Sequence, residues 1–279
     1  MRIDAHHHFW KLDRYDYPWM GPELRPIHRD FGPADLQPLL AKHRIDRSVL
    51  VQTISSLDET KWFVSLARSH PFIAGVVGWV DLKDPRVGNT LDELVALPGL
   101  VGIRHQVHDE PDVNWLLRPD VRRGLNELAK RGLPYDLLIR PPHLAASLQI
   151  ARALPSLRFV VDHIAKPRIA QRGWEDWAGG IAELAKCPNV WCKLSGMITE
   201  ADWAIWQPAS IKPYLDHVLA AFGPDRVLFG SDWPVCLLAG SYDRVVAALE
   251  TGVVHLSAAE REKVFGGNAV QFYQLKEAV

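Results

Sequence analysis

A closed barrel of eight parallel strands, each followed by a helix, is the architecture this sequence predicts, and three observations predict it. Eight short β-rich runs alternate with helical patterns along 279 residues. Six of those runs end in histidine, aspartate, arginine, lysine or polar neighbours, as strands do when one end of a barrel carries the chemistry. No glycine-rich turn follows the first run, and neither GxGxxG nor GxxxxGKS/T occurs, so an open doubly wound sheet is the weaker fit. The expectation is an α/β chain folded as a single (β/α)8 TIM barrel over residues 1–279.

The runs occupy residues 2–9, 47–53, 73–81, 100–107, 133–140, 157–164, 190–196 and 226–232. Between the second and third, Phe63, Leu66, Ala67 and His70 share one helical face; between the fourth and fifth, Val121, Leu125, Leu128 and Ala129 do the same. Pro119 suits a first helical position, Gly132 suits a C-terminal cap, and Gly223-Pro224 ends a helix that begins near Pro208. The irregular stretch 11–31, which carries Trp19, is long for a connection and is expected to cover the barrel mouth.

Composition narrows the function. With 32 basic and 33 acidic residues the formal net charge is −1, which offers no global attraction for nucleic acid or an anionic membrane. Small-molecule partners are expected. Cys187, Cys192 and Cys236 show neither CxxC spacing nor disulfide-rich density, so a reducing compartment, the cytoplasm, is the expected location. No window approaches 18 uninterrupted apolar residues, and no leader pattern precedes the first run.

The first run carries Asp4, His6 and His8, which the two-residue period of a strand sends to one side. Consecutive histidines also mark purification tags, but these lie in an apolar frame of Ile3, Ala5, Phe9 and Trp10. Further along, Gln52 and Thr53 end the second run, Arg104, His105 and Gln106 the fourth, and Asp136 lies in the fifth. Asp162-His163 closes the sixth, Lys193 and Ser195 lie in the seventh, and Ser231-Asp232-Trp233 follows the eighth. Such a concentration in one concave place couples charges, the usual arrangement for acid–base work. Adjacent strand residues face opposite ways, so Arg104 and His105 do not both line the mouth; Arg104 is preferred, with His105 next. Lys193 has an alternative as an internal ion-pair partner of Asp4 or Asp136.

These strings resemble the amidohydrolase superfamily. Its pattern of His-x-His on strand one, a strand-six histidine and a strand-eight aspartate is matched in order by His6, His8, His163 and Asp232. The strings Asp4-Ala5-His6-His7-His8-Phe9-Trp10, Gly102-Ile103-Arg104-His105 and Asp162-His163-Ile164-Ala165-Lys166-Pro167 are similar to the "amidohydrolase 2" lactonase group. So are Cys192-Lys193-Leu194-Ser195-Gly196, Phe229-Gly230-Ser231-Asp232-Trp233-Pro234 and Phe265-Gly266-Gly267-Asn268-Ala269, so that the resemblance spans essentially the whole chain. Two departures stand out: strand four lacks the lysine that bridges two metals in binuclear members, and Asp136 occupies strand five where a ligating histidine is expected. The resemblance therefore implies no required metal. His6, His8 and Asp232 remain as the ligand set for a single zinc or other divalent ion.

The resemblance implies hydrolysis of a sugar-acid lactone, L-fucono-1,5-lactone or a related aldonolactone. The alternatives are a pyrone-dicarboxylate lactonase, a zinc-dependent hydrolase or a decarboxylase of the same superfamily, and, in a different class, a non-catalytic carbohydrate-binding protein. On this reading Asp232 is the general base, His163 holds the water or the carbonyl, and His6 and His8, with Arg104 or Lys193, face the developing oxyanion. Gln52 is expected to contact a substrate hydroxyl. Among the 11 tryptophans, Trp10 lies two residues after His8 and Trp233 directly after Asp232, and both are expected to lay indole faces on the sugar.

Overall fold

The computed structural model describes residues 1–276. Its strands are β1 (Ile3–His7), β2 (Arg47–Val51), β3 (Ile73–Gly78), β4 (Leu100–His105), β5 (Tyr135–Leu137), β6 (Phe159–Val161), β7 (Val190–Leu194) and β8 (Val227–Phe229). They form one parallel sheet in chain order. Between and after them come α1 (Pro33–Lys42), α2 (Leu57–Ser69), α3 (Val87–Val95), α4 (Pro119–Lys130), α5 (Leu144–Ala153) and α6 (Glu175–Ala185). The chain continues through α7 (Met197–Glu200), α8 (Pro208–Phe222), α9 (Tyr242–Gly252), α10 (Ala258–Glu262) and α11 (Asn268–Tyr273). Helix starts follow local chemistry: Ser56 caps α2 by accepting from the Glu59 N–H at 3.2 Å, and Pro119 and Pro208 open α4 and α8.

The sheet closes just past the last residues of β1 and β8. His8 N donates to Trp233 O at 2.7 Å, and Asp232 N donates to His6 O at 2.8 Å. Gly230 permits this approach, because a Cβ there would lie 2.7 Å from the His6 Cβ. Eight parallel strands closed in this way, with helices between them, are a (β/α)8 barrel. Outward strand residues such as Leu50, Ile103, Leu137, Phe159, Val190 and Phe229 pack against the helices. Inward ones, among them Ile3, Ala5, Val51, Val77, Val160 and Leu228, meet Phe272 and Tyr273 of α11 in a separate interior cluster. Among the described residues, no helix is long and apolar enough to cross a membrane.

The expected single-sided row of Asp4, His6 and His8 does not form. Register slips between Asp4 and His7 in the β1–β2 pairing. This bulge flips the alternation, so that Asp4 lies toward the helix layer, where its carboxylate accepts from Ser231 N at 2.8 Å and Tyr242 OH at 3.0 Å. His6 and His8 then both reach the barrel mouth, while His7 packs on Phe9 at 4.8 Å between ring centroids. Asp4 is a clasp between β1 and β8 rather than a site residue.

Segment 11–31 lies across the ends of the early strands. Trp10 and Phe31 pair through their backbones at 3.1 Å in both directions, closing the loop at its base. At its middle, Trp19 Nε1 donates to Thr53 O at 3.1 Å, just past β2.

Candidate active site

β1, β6 and β8 deliver four side chains to one point. His6 Nε2 lies 3.2 Å from His8 Nε2, and Asp232 Oδ1 lies 3.4 Å from His8 Nε2 and 3.8 Å from both His6 Nε2 and His163 Nε2. All four are nearly sealed from solvent, His8 being the most open at 4% exposure. Two of them stand on unusual backbone. Asp232 has φ +56°, and His163 opens a run of four left-handed residues, His163, Ile164, Ala165 and Lys166, at φ between +49° and +64°. Each such residue costs about 1–2 kcal/mol, and strain of this kind persists where the surroundings over-determine it. Here Trp177 Nε1 holds Ile164 O at 2.6 Å and Glu200 holds Lys166 Nζ at 2.6 Å. His163 Nδ1 meets Ser195 Oγ at 2.9 Å.

Charge states follow from burial and neighbours. Burial pushes the Asp232 carboxyl upward, but His163, His8 and Lys166 more than offset it, leaving its pKa below the ordinary value of 3.8. Burial drives His6 and His163 well below 6.5 and His8 in the same direction, with Lys193 adding to the push on His6. At neutral pH the point is one carboxylate among three uncharged imidazoles.

Beneath it lies an ionic layer. Lys193 is fully buried and sits 2.6 Å from Asp136 Oδ2, 3.0 Å from Asp162 Oδ1 and 3.0 Å from His6 Nδ1. It is thus an internal ion-pair partner of Asp136, and the expected contact with substrate gives way to that role because its ammonium is fully buried and enclosed by Asp136, Asp162 and His6. Arg104 points inward, donating to Asp162 Oδ2 at 3.0 Å and to Gln52 Oε1 at 2.9 and 3.1 Å, with a further bond to Gln52 O. Against burial, Lys193, His6 and Arg104 hold the Asp162 carboxyl well below the usual range. Burial raises Asp136 to about 6, against the pull of Lys193 and with the push of Asp162.

Other expected site residues lie elsewhere. The side-chain oxygen of Gln52 is spent on Arg104 and one of its amide N–H groups on Ile54 O at 3.3 Å, so it serves first to hold the guanidinium. Trp10 is fully buried among Tyr17, Trp19 and Phe31, and Trp233 packs edge-on to Phe9 and Phe31. Neither indole can present a face to a sugar. His105 turns outward, as strand alternation demands, accepting from Trp79 Nε1 at 2.9 Å, stacking on Trp115 and meeting Glu110 at 2.6 Å. With Trp19, Asp16, Ile54 and Glu110 it lines a cleft of about 500 Å³ at the ends of β2 and β4. Sequence reasoning passed over Asp162 and Ser195 as site residues. A strand-end Asp-His pair was visible, but alternation admits only one of the two, and only the left-handed turn brings both inward.

His6 Nε2, His8 Nε2 and Asp232 Oδ1 form a three-donor cluster. Tetrahedral zinc with nitrogen and oxygen ligands at about 2.0–2.1 Å separates its donors by about 3.3–3.4 Å. The observed 3.2 and 3.4 Å match that spacing, and the third separation, 3.8 Å between His6 Nε2 and Asp232 Oδ1, closes to it with a small shift of the carboxylate. His8 Nδ1 lies 2.8 Å from Val51 O, which fixes its Nε2 as the free lone pair, as in metal-ligating histidines. The donors fit a single divalent ion.

A (β/α)8 barrel with a His-x-His pair on its first strand, a strand-six histidine and a strand-eight aspartate at one mouth is a hydrolase-type site of acid–base or metal-assisted design. The chain belongs to the Amidohydrolase family, whose model matches residues 3–275. It is 40% identical over 278 residues to the L-fucono-1,5-lactonase of Burkholderia ambifaria, spanning 98% of this chain and 96% of that one. The crystal structure of a Burkholderia multivorans amidohydrolase with bound HEPES superposes with a TM-score of 0.95 at 39% identity, over 99% of this chain and 100% of that one. A second crystal form of an amidohydrolase from that organism, with zinc bound, gives a TM-score of 0.93 at 40% identity over the same shares.

Proposed function

We propose that this chain, as a single domain, hydrolyses the lactone of a sugar acid, L-fucono-1,5-lactone or a related aldonolactone, to the open aldonic acid. The observation that carries the reading is Asp232, an ionised carboxylate enclosed by three neutral imidazoles. An ester activated by ring strain needs a positioned base and donors toward the oxyanion, and this cluster supplies both. Asp232 takes a proton from water as the water oxygen bonds to the lactone carbonyl carbon. His163, held through Nδ1 by Ser195, offers Nε2 to that water or to the carbonyl oxygen. Negative charge on the carbonyl oxygen is met by the Nε2–H of His6, with the inward-facing guanidinium of Arg104 behind it, while His8 Nε2, whose ring proton faces Val51 O, accepts from the attacking water. When the intermediate collapses, the ring C–O bond breaks and the leaving alkoxide takes the proton from Asp232.

A neutral polyol is the favoured substrate class. The cleft at the ends of β2 and β4 offers the half-buried indole of Trp19 together with Asp16 and Glu110, which suits C–H faces and hydroxyls. A dicarboxylate would require free basic groups, and Arg104 is already tied to Gln52 and Asp162. The three cysteines are all free and buried, in keeping with a reducing compartment such as the cytoplasm. A divalent ion held by His6, His8 and Asp232 would supply Lewis-acid polarisation of the carbonyl. The steps above run on the chain's own residues, so exhaustive chelation is expected to leave most of the activity. The deciding experiment is an aldonolactone panel with a pH-indicator readout, before and after chelation. Turnover of a sugar lactone well above the enzyme-free background supports the reading. A panel with no turnover by the folded protein, with or without zinc, overturns it.

A further inference from the structure

His6 has two polar neighbours within 3.4 Å of each ring nitrogen, and no single protonation pattern serves all four. Lys193 Nζ and Asp162 Oδ1 lie 3.0 and 3.4 Å from Nδ1, while His8 Nε2 and Arg104 Nη1 lie 3.2 and 3.3 Å from Nε2. An ammonium only donates. His8 Nε2 only accepts here, because the proton of that ring sits on Nδ1 facing Val51 O. One tautomer therefore satisfies the shorter contact on each side: Lys193 donates to Nδ1, and Nε2–H donates to His8. The opposite tautomer uses the longer pair, with Nδ1–H toward Asp162 and Nε2 accepting from Arg104.

A divalent ion on His6, His8 and Asp232 demands the second tautomer, because a ligating nitrogen cannot keep its proton. Metal-bound histidines usually send the other N–H to a carboxylate or carbonyl. For His6 that acceptor is in place. Asp162 Oδ1 is buried and makes no hydrogen bond, although the Lys193 ammonium stands 3.0 Å away.

We infer that Lys193 and Asp162 are positioning residues that set how tightly the His6–His8–Asp232 cluster takes a divalent cation. Lys193 holds the His6 ring with Nε2 protonated and closed to metal. Asp162 accepts the proton once it sits on Nδ1 and Nε2 is open. The barrel floor takes part: Asp136 anchors Lys193 at 2.6 Å, and Tyr273 of α11 donates to the same carboxylate oxygen at 2.7 Å. None of this depends on which substrate the site hydrolyses.

Zinc ion is the probe, with the full-length chain at fixed pH. Its dissociation constant is read by competition with a chromogenic chelator, and the imidazole tautomers by ¹⁵N–¹H correlation spectra. Lys193→Met is expected to bind zinc about 10- to 100-fold more tightly, and Asp162→Asn more weakly by a similar factor, the size typical of changes behind a metal ligand. The zinc-free wild type should show His6 protonated on Nε2, and the zinc-loaded form should show it on Nδ1. Should Lys193→Met fail to fold, because two buried carboxylates lose their cation, Lys193→Met/Asp136→Asn removes the pair together and is read the same way. Unchanged zinc affinity in the folded variant, or a zinc-free His6 protonated on Nδ1, overturns the inference.

Discussion

A Cβ placed on Gly196 would lie 2.5 Å from Nδ1 of His163, closer than real Cβ contacts come. Gly196 also has φ +62°, so the residue after Ser195 must be both bare and left-handed for His163 to keep its place beside Asp232. Gly196→Ala should therefore lose activity through displacement of His163 and stability through backbone strain of about 1–2 kcal/mol. Denaturant unfolding and steady-state kinetics on a turned-over lactone measure the two effects. Wild-type kcat in the folded variant would detach His163 from the reaction.

Asp232→Asn keeps the volume of the side chain and removes its basicity. The expected loss is about 10²- to 10⁴-fold, falling on kcat more than on KM. Each rate must be corrected for spontaneous hydrolysis at the same pH. A folded Asp232→Asn that keeps more than about a third of wild-type kcat, far outside the range for a lost base, makes Asp232 structural.

The pH profile separates a carboxylate base from a histidine base. Asp232 is held below 3.8, so kcat/KM governed by it should hold from about pH 8 to about pH 5 and fall only at lower pH. Burial lowers the three imidazoles as well, so the acid limb is assigned by variant: a limb that survives in Asp232→Asn and is lost in His163→Asn would move the role of base to an imidazole.

Glu59 offers a stability test independent of activity. This carboxyl is fully buried, accepts from Thr53 N at 2.9 Å and Ile54 N at 3.3 Å, and binds the Thr53 hydroxyl. Burial raises its pKa from 4.5 to about 7. The folded chain thus keeps a proton that the unfolded chain releases above 4.5, and the stability this contributes is lost as pH rises from 4.5 through 7. The slope for a single group is at most about 1.4 kcal/mol per pH unit. Glu59→Gln removes this dependence, so its stability relative to wild type should rise across that window. Parallel pH curves for the two proteins would show that Glu59 is ionised in the folded state.

How far the chain could be read in advance is clearest at β1 and β6. His6, His8, His163 and Asp232 were legible because histidines and aspartates at strand ends have no packing reason to be there. The orientation of Asp4 was not, because one extra residue in the β1 ladder reverses every inward and outward assignment before it. Asp162 was hidden for a related reason: strand alternation stops where the left-handed turn begins. Trp10, Trp233, Gln52 and Lys193 carried the right chemistry at plausible positions, but whether an indole is a platform or a packing element depends on what covers it.

The sequence by itself determined the alternation of eight strands and their helices, the order in which reactive residues enter the mouth, and the absence of a phosphate-binding turn. Those properties are local, set by side-chain period, capping residues and turn chemistry within a few positions of each other. The bulge that turns His6 inward and the ionic layer of Arg104, Asp136, Asp162 and Lys193 were decided only by tertiary structure. Each joins residues tens to hundreds of positions apart, such as His6 and Asp232, and a buried charge acquires its partner, and with it its pKa, only when the barrel brings the two together.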